Sequence, residues 1–235
     1  MAAPPEITIQ DLNGKFVMDK ALSNNPDDIL KLQGISWLTR KAIGLATITL
    51  AVTEEDKPTE EDPNGPPITH VTIGQTATGG IPGTTESRIL DFVERPHTDH
   101  IFGSVKGRTR WCRGAKAEDG KIRPNPEILS KVGNEAEDVA VSKFLRGETL
   151  ADGSETEGFL VEKVAGVLAT EEGTDADNGI FLQSYVESID NGWTAEQIWG
   201  FQIIDGIRYH TRNVAVVKNG QVQKARLVYS FVGRE

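Results

Sequence analysis

The chain has 235 residues and a formal net charge of −10, from 35 acidic and 25 basic side chains. A surface this acidic repels phosphate groups, so we expect neither nucleic acid nor an anionic membrane as a partner. Hydrophobic residues make up 37% of the chain, which fits a soluble globular protein. No apolar run is long enough to span a membrane.

The N-terminal sequence MAAPPEITIQ has neither the basic nor the apolar region of a secretory signal peptide. The single Cys112 rules out a disulfide within the chain, so nothing requires an oxidising compartment. We therefore expect a cytoplasmic protein. No pattern around Cys112 is typical of a reactive thiol, and we interpret it as a small side chain in a strand.

The stretch SNNPDDILKLQGISWLTRKAIG, residues 23–44, predicts two short helices. Asn25 can cap the start of the first helix, and Ser36 the start of the second. Gly34 and Gly44 can end them. Helices of two or three turns are not stable alone, so these must pack on another part of the chain.

Strands are predicted on both sides of the helix pair. Residues 14–22 alternate in polarity, and β-branched runs predict strands at 46–55 and 68–78. The segments 87–94 and 99–114 are two further candidates, separated by the sequence RPHTD.

Residues 115–157 differ from their surroundings. Helix patterns at 125–133 and 134–147 stand there among glycine-rich turns. The segment has too little apolar material for a core of its own. We therefore expect an insertion within a single domain that spans residues 1–235.

The β pattern returns at 158–172 and 178–190 and continues to the end of the chain. Asp205-Gly206 and Asn219-Gly220 separate three alternating segments, and such pairs are strong hairpin signals because both turn residues need positive φ. Short connections favour antiparallel pairing. About ten such strands are expected to close into an up-and-down β-barrel, since closure removes exposed edges. The expected fold class is mainly β.

Two-residue turns fix the register of the last three strands. Trp199 and Phe201 then face Arg212 and His210, and His210 also faces Tyr229. These side chains share the more apolar face, so they should point inward. Ionised groups are costly in a dry core unless they are paired. An inward arginine therefore indicates a barrel that holds a ligand.

Structural alternatives exist for each of these polar residues. Arg212 could form a buried ion pair with an inward Asp or Glu of another strand, and His210 could be an ordinary core histidine. Arg208, next to a turn, is expected to extend to solvent.

A strand, two short helices and an antiparallel meander, in that order, resemble the intracellular fatty-acid-binding proteins of the calycin superfamily. The similarity is strongest in residues 23–44, and the sequence GKF at 14–16 stands where that family has Gly-x-Trp or Gly-x-Phe. The resemblance implies a ten-stranded barrel with the helix pair as a lid over its mouth, extended here by insertions.

The last strand is similar to that family's Arg-x-Tyr, whose side chains hold a ligand carboxylate. Here Arg226 and Tyr229 are three residues apart, which places them on opposite faces of a regular strand. We therefore carry over Tyr229 alone and regard Arg212, on the neighbouring strand, as the better inward cation.

We expect a small hydrophobic ligand in the barrel, no cofactor and no metal site. One hypothesis is a cofactor-independent isomerase or cyclase of secondary metabolism, including pericyclic chemistry, on a polyketide- or terpenoid-like substrate. The alternative is a fatty-acid or lipid carrier without catalysis. In the enzyme, Arg212 and Tyr229 would hydrogen-bond a carbonyl, and His210 or Tyr229 would move a proton. The expected ligand-contacting side chains are Trp199, Phe201, Leu227, Phe231, Phe16, Trp37 and Trp111.

Overall fold

The computed structural model describes residues 1–79, 81, 83–169 and 176–234. The α-helices and β-strands in these residues are β1 (Gly14–Met18), α1 (Asp27–Leu32), α2 (Trp37–Leu45), β2 (Ile48–Lys57), β3 (Ile68–Ala77), β4 (Thr84–Ile89), β5 (Arg95–Asp99), β6 (Gly103–Lys116), β7 (Ile122–Pro124), α3 (Glu135–Leu145), β8 (Ile180–Ser188), β9 (Thr194–Ile204), β10 (Ile207–Lys218) and β11 (Gln221–Gly233).

Ten of these strands form one antiparallel sheet in the order β4-β3-β2-β1-β11-β10-β9-β8-β6-β5, and β7 pairs separately with β6. The sheet curls until its two ends meet. The backbone N–H of Phe92, just after β4, donates to the carbonyl oxygen of Thr109 on β6 at 2.9 Å. Asp91 and Arg110 form an isolated antiparallel bridge at the same place. The predicted fold class, an antiparallel barrel of about ten strands with a short helix pair after the first, is confirmed.

The predicted register of the last three strands is also confirmed. Trp199 faces Arg212, Phe201 faces His210, and His210 faces Tyr229. Asp205 and Asn219 have φ of 51° and 50°, and the glycine after each is also positive. Both turns therefore have the left-handed geometry that two-residue hairpins require.

α2 begins as its sequence predicts, whereas α1 begins one residue later than predicted, with Pro26 rather than Asn25 at the N-cap. The Asn25 side chain accepts from the backbone N–H of Asp27 at 3.1 Å, and Ser36 Oγ accepts from that of Thr39 at 3.2 Å. Gly34 follows α1 with φ of 87°. Gly44, however, lies inside α2, whose C-cap is Ala46, so the predicted end was one residue early.

Three predicted elements were wrong. The sequence RPHTD is not a connection but the edge strand β5, paired with β6. Residues 125–133 form no helix, because the backbone N–H groups of Leu129 and Ser130 bind the Glu196 carboxylate instead. Within the described part of 158–172, only Phe159 forms a bridge, since the apolar side chains there pack into the interior.

The lower half of the barrel is filled by the N-terminal segment, residues 1–13. Its buried side chains Ala3, Ile7, Ile9 and Leu12 join the main apolar core. Arg208 holds this segment by donating to the carbonyl oxygens of Ala3, Pro4 and Ile7, and it also pairs with Glu162. The expectation that Arg208 extends to solvent was wrong, since its side chain is only 14% exposed.

The segment 115–157 packs on the outside of the barrel. Val141, Phe144 and Leu145 of α3 are fully buried against side chains that include Phe181 and Ile198 of the sheet. The Arg123 guanidinium, also buried, binds the carbonyl oxygens of Gly147, Thr156 and Glu157. The Arg123 side chain on β7 therefore joins the loop after α3, at Gly147, to the end of the segment, at Thr156 and Glu157.

Candidate active site

The upper half of the barrel contains a cavity of about 620 Å³ beneath α1 and α2. Ile29 and Leu30 of the helices, and Ile48, Val214, Val216 and Leu227 of the strands, form much of its apolar lining. Its polar lining includes Gln75, Glu86, Arg88, Gln197, Arg212 and Tyr229. A volume of this size suits a small organic molecule.

Arg212 reaches the cavity from β10 and is only 6% exposed. Its Nε donates to Nε2 of His210 at 3.3 Å, and its guanidinium carbon lies 3.7 Å from the centre of the Trp199 ring. Its Nη2 has no hydrogen-bond partner among the described residues. Burial lowers the pKa of Arg212, yet guanidinium groups stay charged in proteins. The side chain is thus fixed on one side and has a free donor on the other.

Tyr229 lines the cavity next to Arg212, whose guanidinium carbon is 5.0 Å from the centre of the phenol ring. Burial raises the pKa of Tyr229 above its ordinary value, so the hydroxyl is neutral and can donate. Arg212 and Tyr229 therefore offer two adjacent donors to a ligand.

His210 is brought beside both residues but does not line the cavity. It is 1% exposed and is surrounded by the rings of Phe16, Trp199, Phe201 and Tyr229. Burial and the Arg212 charge hold the pKa of His210 well below its ordinary value.

The hydrogen bonds of His210 define its tautomer. Nε2 accepts from Arg212, so Nδ1 carries the proton and donates to the carbonyl oxygen of Gly200 at 3.2 Å. A neutral imidazole in this tautomer has no free nitrogen for a ligand.

β4 contributes two charged residues that the sequence analysis missed. Arg88 donates to Glu86 at 2.5 Å and to Ser184 Oγ at 2.7 Å. The predicted strand began at Ser87 and therefore excluded Glu86. The regular spacing of Thr84, Glu86 and Arg88 was the available signal, since alternate residues of a strand share one face.

Gln197 is a second polar residue that sequence reasoning missed. Its Oε1 accepts from the indole Nε1 of Trp199 at 2.9 Å, and the side chain lines the cavity. With the carbonyl oxygen turned to the indole, the amide N–H groups remain for a ligand.

The apolar residues predicted to contact a ligand lie at different depths. Leu227 lines the cavity. Trp199 lies under Arg212, while Phe16, Phe201, Phe231 and Trp111 pack in or against the core below. Trp37 is not brought to the cavity: it is 64% exposed on α2. Trp37 was expected at the cavity because it belongs to the helix pair, but its side chain lies on the exposed face of α2.

The predicted alternative for Arg212, a direct ion pair with an inward acid, is not what the structure shows. Glu86 is an inward carboxylate, but it bonds to Arg88, and Arg212 influences it only through space. Arg226 points away from the cavity and contacts Gln202 on the outer face, as the spacing from Tyr229 predicted.

Among the described residues, no group of three or more His, Cys, Asp or Glu side chains is arranged to hold a metal ion. In the same residues, no helix has both the length and the apolar character needed to cross a membrane.

Comparison with known proteins gives two relatives of nearly the same length. The chain is 28% identical over 232 residues to "Probable pericyclase scpY" from Mollisia scopiformis, covering 99% of this chain and 95% of that protein. It is 24% identical over 234 residues to "Pericyclase pydY" from an Acremonium species, covering 99% and 98%. No family model matches the sequence.

Solved structures of fatty-acid-binding proteins are similar at low sequence identity. That of Schistosoma mansoni, in complex with arachidonic acid, has a TM-score of 0.48 and 12% identity, covering 94% of this chain and 96% of that one. That from the brain of Drosophila melanogaster has a TM-score of 0.45 and 15% identity, covering 92% and 95%. The strand order and helix pair described above agree with the antiparallel barrel and helix pair that the sequence predicted.

Proposed function

We propose that this protein is a pericyclase: a cofactor-independent enzyme that closes a ring in a flexible, largely apolar substrate bearing a carbonyl group. The similarity over the whole chain to two proteins named pericyclases supports the reaction class. The observation that carries the proposal is the Arg212 guanidinium, whose Nη2 has no partner among the described residues, beside the Tyr229 phenol at the wall of a cavity under the helix pair.

The apolar lining contributes by holding the substrate folded. A pericyclic ring closure joins the ends of a conjugated system through one cyclic transition state, so the reacting carbons must first lie close together. Binding in the cavity restricts the substrate to a folded conformer before the reaction, so less conformational entropy is lost on reaching the transition state. A cavity of about 620 Å³ accommodates a compact conformer of a substrate of this size class.

Arg212 and Tyr229 contribute electrostatically. When the reacting alkene is conjugated with a carbonyl, electron density moves onto the carbonyl oxygen as the ring closes. Two donors fixed beforehand stabilise this charge without reorganising, and they act strongly because the site is shielded from water. The contact with Trp199 keeps the Arg212 guanidinium in one orientation.

The reaction needs no general base, and this agrees with the position of His210. A pericyclic step moves bonding electrons in a cycle and transfers no proton to the protein. His210 has both ring nitrogens engaged and lies outside the cavity. We propose that it holds Arg212 rather than moving a proton; Tyr229 acts as a donor that keeps its proton.

The test uses synthetic linear polyenes in which a diene and a carbonyl-conjugated alkene share one chain. Incubation with the purified protein should convert at least one of them to a cyclic isomer of unchanged mass, faster than the uncatalysed reaction. In D₂O the product should contain no deuterium on carbon. Deuterium at a ring carbon would instead indicate a proton-transferring cyclase.

A lipid carrier is the competing function, since the same two donors could hold a carboxylate. A carrier binds a fluorescent fatty acid tightly and turns over none of the polyenes. That result, together with release of the bound fatty acid unchanged, would contradict the enzyme proposal.

A further inference from the structure

β4 places a carboxylate among the cations of the cavity. Glu86 lines the cavity together with Arg88, Arg212 and Tyr229, and it accepts a hydrogen bond from Arg88 Nη2 at 2.5 Å. Arg212 acts on it electrostatically from β10. On the strand side, the charged lining is therefore the Arg88 and Arg212 guanidinium groups with the Glu86 carboxylate between two cations. The helix side adds Asp27, Lys20, Arg40 and Lys41.

Glu86 is ionised in this environment. Burial by itself would raise the pKa of Glu86, but the charges of Arg88 and Arg212 outweigh burial and hold the pKa below its ordinary value. The Glu86 charge also acts on the Tyr229 phenol, because it contributes to raising the pKa of Tyr229. A ligand whose polar end reaches Arg212 and Tyr229 consequently meets a fixed negative charge.

We propose that Glu86 is a specificity-determining residue that makes the cavity favour neutral carbonyl compounds, such as esters, amides and ketones, over free carboxylic acids. The inference rests on the proposed function, because it names the substrate class for the same site. A neutral carbonyl gains the hydrogen bonds of Arg212 and Tyr229 without facing a like charge. A carboxylate in the same place is repelled by Glu86, and the enclosed cavity screens this repulsion poorly.

The preference also suits the chemistry. A carboxylate is fully charged before any bond is formed. Its attraction to Arg212 would therefore stabilise the bound substrate and the transition state equally. A neutral carbonyl becomes negative only as the ring closes, so the two donors bind the transition state more strongly than the substrate. Only this differential binding accelerates the reaction.

The test compares two fluorescent probes with the same chain, cis-parinaric acid and its methyl ester, by direct fluorescence titration at pH 8. Wild-type protein should bind the ester at least as tightly as the acid. Glu86→Gln should tighten the acid by roughly ten-fold and change the ester by less than about two-fold. Glu55→Gln, at an exposed position on β2, makes the same change in net charge and should alter neither affinity.

The double variant Glu86→Gln/Arg88→Gln distinguishes charge from the loss of a partner for Arg88. It restores the net charge of the wild-type cavity, so affinity for the acid should fall back towards the wild-type value. A folded Glu86→Gln protein with unchanged or weaker acid binding would overturn the inference. So would a wild-type preference for the acid of more than about ten-fold, a measurement that needs no variant.

The outcomes also separate this inference from the proposed function. If both probes bind but their ratio does not respond to Glu86, the role of Glu86 is wrong and the ring-closing function stands. If wild-type protein binds neither probe, the assignment of the cavity to an apolar ligand with a carbonyl is wrong, and the proposed function fails with it.

Discussion

Arg212 Nε donates a hydrogen bond to His210 Nε2 at 3.3 Å, so the cation at the cavity wall is held by an imidazole that must be neutral. The guanidinium is fixed from its other face by Trp199 at 3.7 Å. A protonated imidazole could not accept this bond and would repel Arg212. The two residues therefore form one unit, in which His210 sets the position of Arg212, the member that lines the cavity.

His210→Phe fills the same apolar space but cannot accept the bond from Arg212. We expect ring-closing activity to fall by roughly ten-fold or more with the fold retained. His210→Gln keeps an acceptor and should retain more activity than His210→Phe. The measurement is kcat/KM for the cyclised polyene, with circular dichroism to check the fold.

The pH profile separates positioning from proton transfer at His210. Because burial and Arg212 hold the pKa of His210 well below its ordinary value, wild-type kcat/KM should stay level from pH 6 to pH 8. If wild-type kcat/KM instead falls at one end of this pH range and the fall is absent in His210→Gln, His210 titrates as a general base, which would contradict the positioning role.

Arg212→Lys keeps a positive charge but loses the planar contact with Trp199 and the Nε hydrogen bond. We expect roughly a 100-fold loss of kcat/KM, comparable to the loss of one fixed donor at a charge-developing oxygen. Tyr229→Phe removes only the hydroxyl and should cost roughly ten-fold. Trp37→Ala, at a 64% exposed position on the helix pair, is the matched control and should keep activity and ligand affinity.

Glu54 should make stability fall as the pH rises. Burial raises the pKa of Glu54 to about 8, with further contributions from Asp11 and Asp56, whereas in the unfolded chain it returns to an ordinary value. Between about pH 4.5 and pH 8 the folded state holds a proton that the unfolded state has lost, so stability declines through this range. Above pH 8 this contribution is constant.

Glu54→Gln can still accept from the Leu12 backbone N–H, as Glu54 does at 2.9 Å, but it has no charge to bury. We expect this variant to exceed the wild-type free energy of unfolding by roughly 4–5 kcal/mol at pH 8.5, with little difference at pH 4.5. Urea unfolding of the variant and of wild type at pH 4.5 and at pH 8.5 measures these free energies of unfolding. An advantage that is larger at pH 4.5 would contradict the assignment.

Glu196 should determine whether the segment 125–133 stays on the barrel. Its carboxylate accepts from the backbone N–H groups of Leu129 and Ser130 and from Gln183 at 2.6 Å. Glu196→Ala leaves these buried donors without an acceptor, which costs about 2–4 kcal/mol. Limited proteolysis should then cut first within 125–133. If Glu196→Ala is cut there no faster than wild type, the carboxylate does not hold the segment.

The sequence predicted the site best where its own turns determine the geometry. Asp205-Gly206 and Asn219-Gly220 require left-handed residues, and this alone gave the register that places Trp199, Arg212 and Tyr229 together. No distant partner was needed, because a two-residue hairpin fixes every pair that follows it.

Prediction failed where the partner lies far along the chain. The segment 125–133 reads as a helix until Glu196, more than sixty residues away, takes its N–H groups. Glu86 has an unremarkable sequence context, and only barrel closure brings it towards Arg212. The burial of Arg208 likewise depends on the N-terminal segment, which its local position beside a turn does not reveal.

Two separate parts of the chain, the strands and the N-terminal segment, contribute side chains to the interior of the barrel. Arg212 and Tyr229, which line the cavity, are carried by strands of the barrel, while Ile7, Ile9 and Leu12 of the core are carried by the separate N-terminal segment. Smaller residues at those three positions would open space in the core without changing any side chain that lines the cavity. The packing of the core and the polar groups of the cavity wall can therefore change independently of each other.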